Sequence, residues 1–207
     1  QLDDLQVVHA CPDPSALAQL PAEAHVVELF TVHENGVKAE LQRAGVWERY
    51  WAERAEFANL CDRTVEPTRH LPAVAAFDEA RQSSNPVRVL TSGRELAIAP
   101  GQHQFLGGRW RFVQRDAWWQ RWTGKPTVVG HYWRRRYPAE GRDPFFEVGS
   151  FRWVNRVFCV DYSVGRRYAE RVHDISAGFR NGLAALRWPE RTLVFDDRPV
   201  PVRTEGF

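Results

Sequence analysis

The chain has 207 residues, of which 43% are hydrophobic and 26% are charged, a composition typical of a globular protein and not of a disordered one. No window approaches the roughly 20 consecutive apolar residues of a membrane-spanning helix, so we expect no membrane partner. The formal net charge of +2 is too small to indicate, by itself, binding to nucleic acid or to an anionic membrane.

The first part of the chain is predicted to be mainly helical after one short strand. Residues 5–10 form a buried strand that runs into a loop, and Pro14 can open a short helix that ends near residue 20. Residues 25–30 are a candidate second strand. Apolar residues recur at helical spacing over 46–60, which predicts an amphipathic helix. Residues 71–81 predict a weaker helix that stops before Pro86.

The second part of the chain is richer in predicted strands. They cover residues 87–91, 110–113, 126–131 and 156–161. Residues 183–187 and 192–195 flank Pro189 and Glu190 and predict a closing hairpin. No internal repeat is present. Together with the helices before them, these strands predict a sheet-based α/β layer structure.

Two of the predicted strands each deliver a histidine at the carboxyl end. These are Val7-Val8-His9-Ala10 and Val128-Val129-Gly130-His131. A strand end is a rigid mount, and a metal site needs ligands held that firmly. Gly130 removes a side chain where another group would approach closely. Each histidine taken alone has an ordinary alternative, a hydrogen-bonded residue at the end of a strand.

The surroundings of both histidines resemble the C-terminal half of the calcineurin-like metallophosphoesterases. Gly130-His131-Tyr132-Trp133-Arg134 is similar to the family's late Gly-His motif, and His9-Ala10 with Asp13 is similar to its earlier lone-histidine motif. The strand 157–161 falls where the family has its next core strand. Trp118-Trp119 and the segment 91–95 resemble the bacterial branch similar to serine/threonine phosphatases and dinucleoside tetraphosphatases. Trp133 stands where many relatives have a second histidine, and the serine/threonine phosphatase branch also lacks that histidine.

The resemblance implies a fold, a cofactor and a reaction. The fold would be part of a metallophosphoesterase-type β-sandwich flanked by helices, one domain over 1–207 with a variable helical cap at about 31–86. Two divalent ions would activate water for hydrolysis of a phosphate ester. His9 and His131 would bind one of these ions, and imidazole ligands suit Mn, Fe or Zn better than Mg.

Four further residues are candidates for the same site. Arg134 and Arg135 follow His131, and the planar guanidinium of arginine suits phosphate oxygens; the alternative is a solvated basic turn that also includes Arg136. Arg134 is the preferred candidate, with a catalytic and a substrate-binding role. Asp161 is a candidate catalytic residue and Tyr162 a candidate substrate-binding residue. Strand-end capping and packing are the alternatives for this pair.

Three ligand blocks of the complete family are missing from the chain: Asp-x-His, Gly-Asp-x-x-Asp and Gly-Asn-His-Asp/Glu. By the family's order they lie upstream of Gln1. Because the chain has no methionine, Gln1 is not the encoded start, and the sequence predicts that upstream residues exist. The three widely spaced cysteines, Cys11, Cys61 and Cys159, predict reduced thiols in a cytoplasmic protein.

Two other functions remain open at this stage. A non-catalytic binding or regulatory module would keep the fold without the first ligand blocks. A single-stranded nucleic-acid binder would use interleaved aromatic and basic residues, as in Trp110-Arg111-Phe112, although the small net charge makes nucleic acid the less favoured partner.

Overall fold

The structure is a computed structural model that describes residues 4–23, 25–134, 136, 151–172 and 178–207. It is a mixed α/β protein with several small sheets. In chain order the elements are β1 (Gln6–Val8), α1 (Pro14–Ala18), α2 (Val26–Arg43), α3 (Val46–Glu56), α4 (Pro72–Ser83), α5 (Pro86–Ser92), β2 (Glu95–Ala97), β3 (Gln104–Leu106), β4 (Arg109–Arg111), β5 (Val113–Arg115), β6 (Thr127–Val129), β7 (Val157–Cys159), α6 (Arg167–Glu170), β8 (Ala184–Arg187), β9 (Thr192–Phe195) and β10 (Arg198–Arg203). Short 3₁₀ helices lie at Trp118–Arg121 and Val164–Arg166.

The chain divides into two compact units. The sheet unit contains residues 1–10 and 117–207, and the helical unit contains residues 11–116. The cap region predicted at about 31–86 lies inside the helical unit.

The sheet unit is built on two three-stranded sheets. One is parallel, with the order β1-β6-β7, and the other is antiparallel, with the order β10-β9-β8. The predicted hairpin of β8 and β9 is confirmed, with Ala184 opposite Phe195 and Arg187 opposite Thr192. The core of the unit consists of Leu5, Val128, Trp153, Phe158, Tyr162, Leu193 and Phe195.

The helical unit combines α1 to α5 with two small antiparallel ribbons, β2 with β5 and β3 with β4. Gly107 and Gly108 join β3 to β4, and both have positive φ, at 62° and 79°. A two-residue hairpin turn of type I′ needs this conformation at both positions. The core of the unit consists of Leu60, Leu71, Val74, Ala75 and Phe112. The helices predicted at 46–60 and 71–81 are confirmed as α3 and α4.

Two predicted strands are wrong, because both segments are helical. Residues 25–30 open α2, an 18-residue helix; a short apolar run cannot by itself distinguish a strand from a buried helix segment. Residues 87–91 lie in α5. The Asn85 side chain accepts a hydrogen bond from the Val87 amide at 3.1 Å, and Pro86 occupies the first helical turn. This pair of helix-start signals outweighs the β-branched residues that follow.

The parallel sheet has an exposed edge at β1. Among the described strands, β1 pairs with β6 alone, and Val7 is 70% exposed whereas Val128 and Val129 are buried. An open strand edge is a site where further backbone can pair. No helix within the described ranges is long and apolar enough to cross a membrane.

Asp13 anchors the start of the helical unit through its carboxylate. It caps α1 by accepting the Ala16 amide at 2.9 Å and pairs with Arg94 at 2.8 Å. Burial alone would raise the pKa of Asp13, but the hydrogen bonds from Arg94, Ser15 and Ala16 outweigh it and lower the pKa to about 2. A carboxylate with a lowered pKa stabilises the fold above its unfolded pKa, and this contribution is lost as the pH falls toward 2.

We therefore expect Asp13→Asn to destabilise the protein by roughly 2 kcal/mol at pH 7. Asparagine keeps the cap and removes the charge that pairs with Arg94. Urea unfolding of the wild type and the variant at several pH values measures the effect. The difference in free energy of unfolding should shrink between pH 4 and pH 2. A difference that is constant over this range would contradict the assignment.

Candidate functional site

The carboxyl ends of the three parallel strands bring the predicted site residues to one edge of the sheet. Val8 pairs with Val129, and Val129 pairs with Cys159. His9, Gly130-His131 and Val160-Asp161 follow these residues directly. In parallel sheets, ligands bind in the crevice outside the carboxyl ends of the strands. The candidate site therefore lies where this topology most often places one.

The rings of His9 and His131 are adjacent. Their centroids are 5.3 Å apart, and their planes are inclined by 58°. Two ligands of one ion need nitrogens within roughly twice a metal–nitrogen bond of about 2.1 Å. His9 is exposed and His131 is half-buried, so both rings are accessible. Their role as metal ligands stays a prediction.

The backbone at this edge contains three non-glycine residues in the left-handed region. They are His131, with φ of 66°, Trp133, with φ of 50°, and Ser163, with φ of 60°. The Tyr132 amide donates to the Gly130 carbonyl at 2.8 Å, which closes a γ-turn around His131. The γ-turn with a positive central φ is the rare and strained form. Strain of this kind concentrates at functional sites, where the surrounding contacts maintain it.

Tyr132 is one of those contacts, because it ties the two histidine-bearing segments together. It is buried, and its hydroxyl donates to the Ala10 carbonyl at 2.9 Å. The same hydroxyl accepts the indole N–H of Trp118 at 3.0 Å. Gly130 adds a second tie, since its amide donates to the His9 carbonyl at 3.0 Å. The positions of His9 and His131 are thus fixed to each other by backbone and side chain.

The space around position 130 does not require a glycine. A Cβ built there would lie 3.8 Å from the His9 carbonyl oxygen and 3.9 Å from its Nδ1, which is ordinary van der Waals contact. The interpretation of this glycine as a close-approach position therefore finds no support in the geometry.

Asp161 lies at the site edge and also caps the chain that follows it. Its Oδ1 accepts the Ser163 amide at 2.9 Å, and its carbonyl accepts the Arg134 amide at 2.8 Å. The predicted capping role is thus present. Because the carboxylate also borders a cleft, the capping contact holds it in place beside that cleft.

Arg134 and Tyr162 occupy packing positions. Arg134 is 0% exposed, with its guanidinium over the rings of Phe158 and Tyr162 at 5.4 and 5.5 Å. Its Nη1 donates to the Cys159 carbonyl at 3.3 Å. Tyr162 is 1% exposed within the core. Neither side chain is presented to a ligand, contrary to the exposure that a substrate-binding role needs. Arg135 lies outside the described residues.

Arg136 is buried as well and forms an ion pair. Its Nη1 lies 2.6 and 2.7 Å from the two oxygens of Asp197, and its guanidinium is 4.1 Å from the centroid of Phe195. The solvated basic turn that was the alternative for this run therefore does not describe Arg134 or Arg136.

Two residues near the histidines were missed by sequence reasoning. A cleft of about 450 Å³ is lined by Trp133, Asp161, Ser163, Gly165 and Arg166. Trp133 is 60% exposed, and its ring centroid is 6.2 Å from that of His131. Arg166 is exposed. The available signals were the aromatic residue just after Gly-His and the Gly-Arg pair just after the strand that ends in Asp161.

The thiol next to the site is buried. Cys159 ends β7 with 0% exposure, and burial raises the pKa of its thiol to about 12. Burial likewise raises the pKa of Cys11 to about 12. A thiol with such a pKa holds its proton at neutral pH, and the thiolate is the reactive form. Covalent catalysis by these cysteines is therefore disfavoured.

The two histidines would be only part of the ligand set that a metal site needs. Across the described ranges, no group of three or more His, Cys, Asp or Glu side chains is arranged to hold a metal ion. Two imidazoles are fewer than the three or four protein ligands that usually hold a catalytic ion. As neutral nitrogen donors at an exposed edge, they fit a metal such as Mn, Fe or Zn as a partial ligand set.

Comparisons of this chain with protein-family models, curated proteins and solved structures give no match. Functional inference therefore depends on the geometry of the site and on the motif resemblance.

The aromatic and basic segment considered for nucleic acid is packed within the helical unit. Phe112 is 0% exposed, the indole N–H of Trp110 donates to the Asp62 carbonyl at 3.0 Å, and Arg111 pairs with Glu95. A stacking platform for bases needs exposed rings, and this segment does not provide one.

Proposed function

We propose that this chain is the C-terminal part of a binuclear metal-dependent phosphoesterase, in which His9 and His131 bind one of two divalent ions. The observation that carries the proposal is the adjacency of the two imidazoles, 5.3 Å between centroids, at the carboxyl edge of a parallel sheet. The strained turn around His131 and the Gly-His resemblance support it.

Divalent ions bound there would lower the pKa of water and neutralise charge on the phosphoryl oxygens. The two histidines would hold one ion on rigid strand ends. Asp161 would accept a proton from water or from a substrate hydroxyl, with its Oδ1 already held by the Ser163 amide. Arg166 is the better candidate for phosphate contact than the buried Arg134, because it is exposed and lines the cleft. The remaining metal ligands would come from polypeptide that carries the family's first three blocks.

The second candidate is a binding or regulatory module that keeps the sheet without catalysis. It is favoured by the finding that the described residues supply only a partial ligand set. Both candidates use the same histidine pair, so only hydrolysis distinguishes them.

Two proteins test the proposal: the 207-residue chain, and the same chain extended by its upstream coding sequence. The short chain should bind Mn or Zn weakly in calorimetry and hydrolyse an aryl phosphate no faster than buffer with metal. The extended chain should bind two ions and be active. Robust turnover by the short chain would show that ligands within it were overlooked. An extended chain that binds metal without hydrolysis would support the binding module instead.

A further inference from the structure

A second cavity lies at the opposite, amino end of the parallel sheet. It has a volume of about 410 Å³, within the range of small-molecule sites. Its walls are formed by the segments just before β1, β6 and β7 and by the loop between β8 and β9. The charged and aromatic residues that line it are Asp4, Lys125, Arg156, Trp188, Arg191 and Phe207.

Three cationic side chains and one acidic side chain line the cavity. The carboxylate of Asp4 accepts the indole N–H of Trp188 at 3.0 Å and so holds that ring against the cavity. Within the described part of the chain, no acidic side chain forms an ion pair with Arg156 or Arg191. Arg191 instead lies over the ring of Phe207, 4.4 Å from its centroid.

Both arginines have positive φ, a backbone conformation that is unfavourable for any residue with a Cβ and that glycine adopts freely. Val154 and Val157 exchange two backbone hydrogen bonds, at 3.0 and 2.8 Å, around Asn155 and Arg156, whose φ values are 43° and 67°. This is a two-residue type I′ turn, which prefers Asn-Gly. Asn155 fits the preference, and Arg156 stands where glycine is expected.

Arg191 shows the same conflict in the loop between β8 and β9. Its φ is 54°, and its carbonyl accepts both the amide and the hydroxyl of Thr204, at 2.9 and 2.8 Å. These contacts hold the strained conformation in place. Strained residues that the surroundings maintain are typical of ligand sites. Arg156 and Arg191 are two such residues, and both line this cavity.

We propose that this cavity is a phosphate-binding site, distinct from the histidine site and independent of the proposed phosphoesterase function. Guanidinium groups bind phosphate oxygens through paired hydrogen bonds, and Arg156 and Arg191 supply two of them. Lys125 also lines the cavity. The indole of Trp188, which also packs near Phe207 with centroids 5.8 Å apart, forms an apolar wall. The ligand class is a phosphate chain, either inorganic or carried by a nucleotide.

Calorimetry on the 207-residue chain in EDTA tests this site, with pyrophosphate and ATP as probes. The wild type should bind both. The double variant Arg156→Gly/Arg191→Gly should bind at least about tenfold more weakly, the loss expected for hydrogen bonds to charged groups. Its melting temperature should be unchanged or higher, because glycine adopts positive φ without strain. Equal affinities for the two probes would identify the phosphate chain as the recognised group, and tighter ATP binding would show that the base packs on Trp188.

Two controls make the result specific. Arg187→Gln removes an exposed positive charge from β8 outside the cavity and should leave the affinity unchanged. His131→Ala, at the other end of the sheet, should also leave it unchanged in EDTA. The proposal is overturned if the wild type binds neither probe at millimolar concentration. It is also overturned if the double glycine variant binds as well as the wild type, or if either control weakens binding as much as the double variant does.

Discussion

Under the proposed phosphoesterase function, replacing His131 by alanine in the extended protein should abolish most of the metal-dependent phosphoester hydrolysis. Alanine removes an imidazole without filling its place, so one of the two ions should be lost and not repositioned. We expect the rate to fall by more than about 100-fold, the upper end of the loss caused by removing a group that only supports a metal ligand. Hydrolysis of an aryl phosphate and the metal content of the purified protein measure the effect. His9→Ala should behave in the same way.

The strained turn allows a sharper version of this experiment. His131 has a φ of 66°, a conformation that glycine adopts without strain. His131→Gly should therefore fold at least as stably as the wild type while losing metal and activity. Improved stability with lost function would show that the strain at this position serves the site.

His25 provides the matched control, because it is an exposed histidine at the start of α2. His25→Ala should leave the metal content and the rate unchanged. Full activity of the extended His131→Ala protein would mean that the Gly-His resemblance is misleading.

Arg134→Ala should destabilise the protein by about 3 kcal/mol or more. Arg134 is 0% exposed and, among the described residues, is the largest of the fully buried side chains. Truncation therefore removes its contacts with Phe158 and Tyr162 and leaves a cavity in the sheet unit. Large-to-small changes in a core typically cost 2–5 kcal/mol. Chemical denaturation followed by circular dichroism measures the loss.

Arg166→Ala is the comparison that separates packing from substrate binding. Arg166 is exposed and lines the cleft, so its removal should change the free energy of unfolding by no more than about 0.5 kcal/mol. In the extended enzyme, the same change should raise KM for a phosphate ester. If Arg134→Ala folds stably and Arg166→Ala has no effect on KM, the packing role given to Arg134 is wrong, and its predicted phosphate role is restored.

Local signals in the sequence predicted several elements because each signal acts within a few residues. The amphipathic spacing over 46–60 predicted α3, and the two segments that flank Pro189 and Glu190 predicted the hairpin of β8 and β9. The segments 25–30 and 87–91 were predicted wrongly where apolar and β-branched residues carry no clear period. For the segment 87–91, the decisive interaction is the hydrogen bond by which Asn85 caps the helix. The intrinsic strand propensities of the residues in the segment do not include this side-chain contact.

The sequence by itself determined that His9 and His131 each follow a short apolar strand, and that Asp161 follows another. Strand ends are encoded locally, by an apolar run and the residues that stop it. Only the tertiary structure decided that β1 and β6 lie side by side and parallel, which brings the two imidazoles together.

The tertiary structure also decided which arginines are buried and which line cavities. Arg134 and Arg136 are buried, whereas Arg156, Arg166 and Arg191 line cavities. A run of identical basic residues does not indicate which of them is buried. The exposure of each side chain depends on the strands and rings that pack around it, and these come from distant parts of the chain.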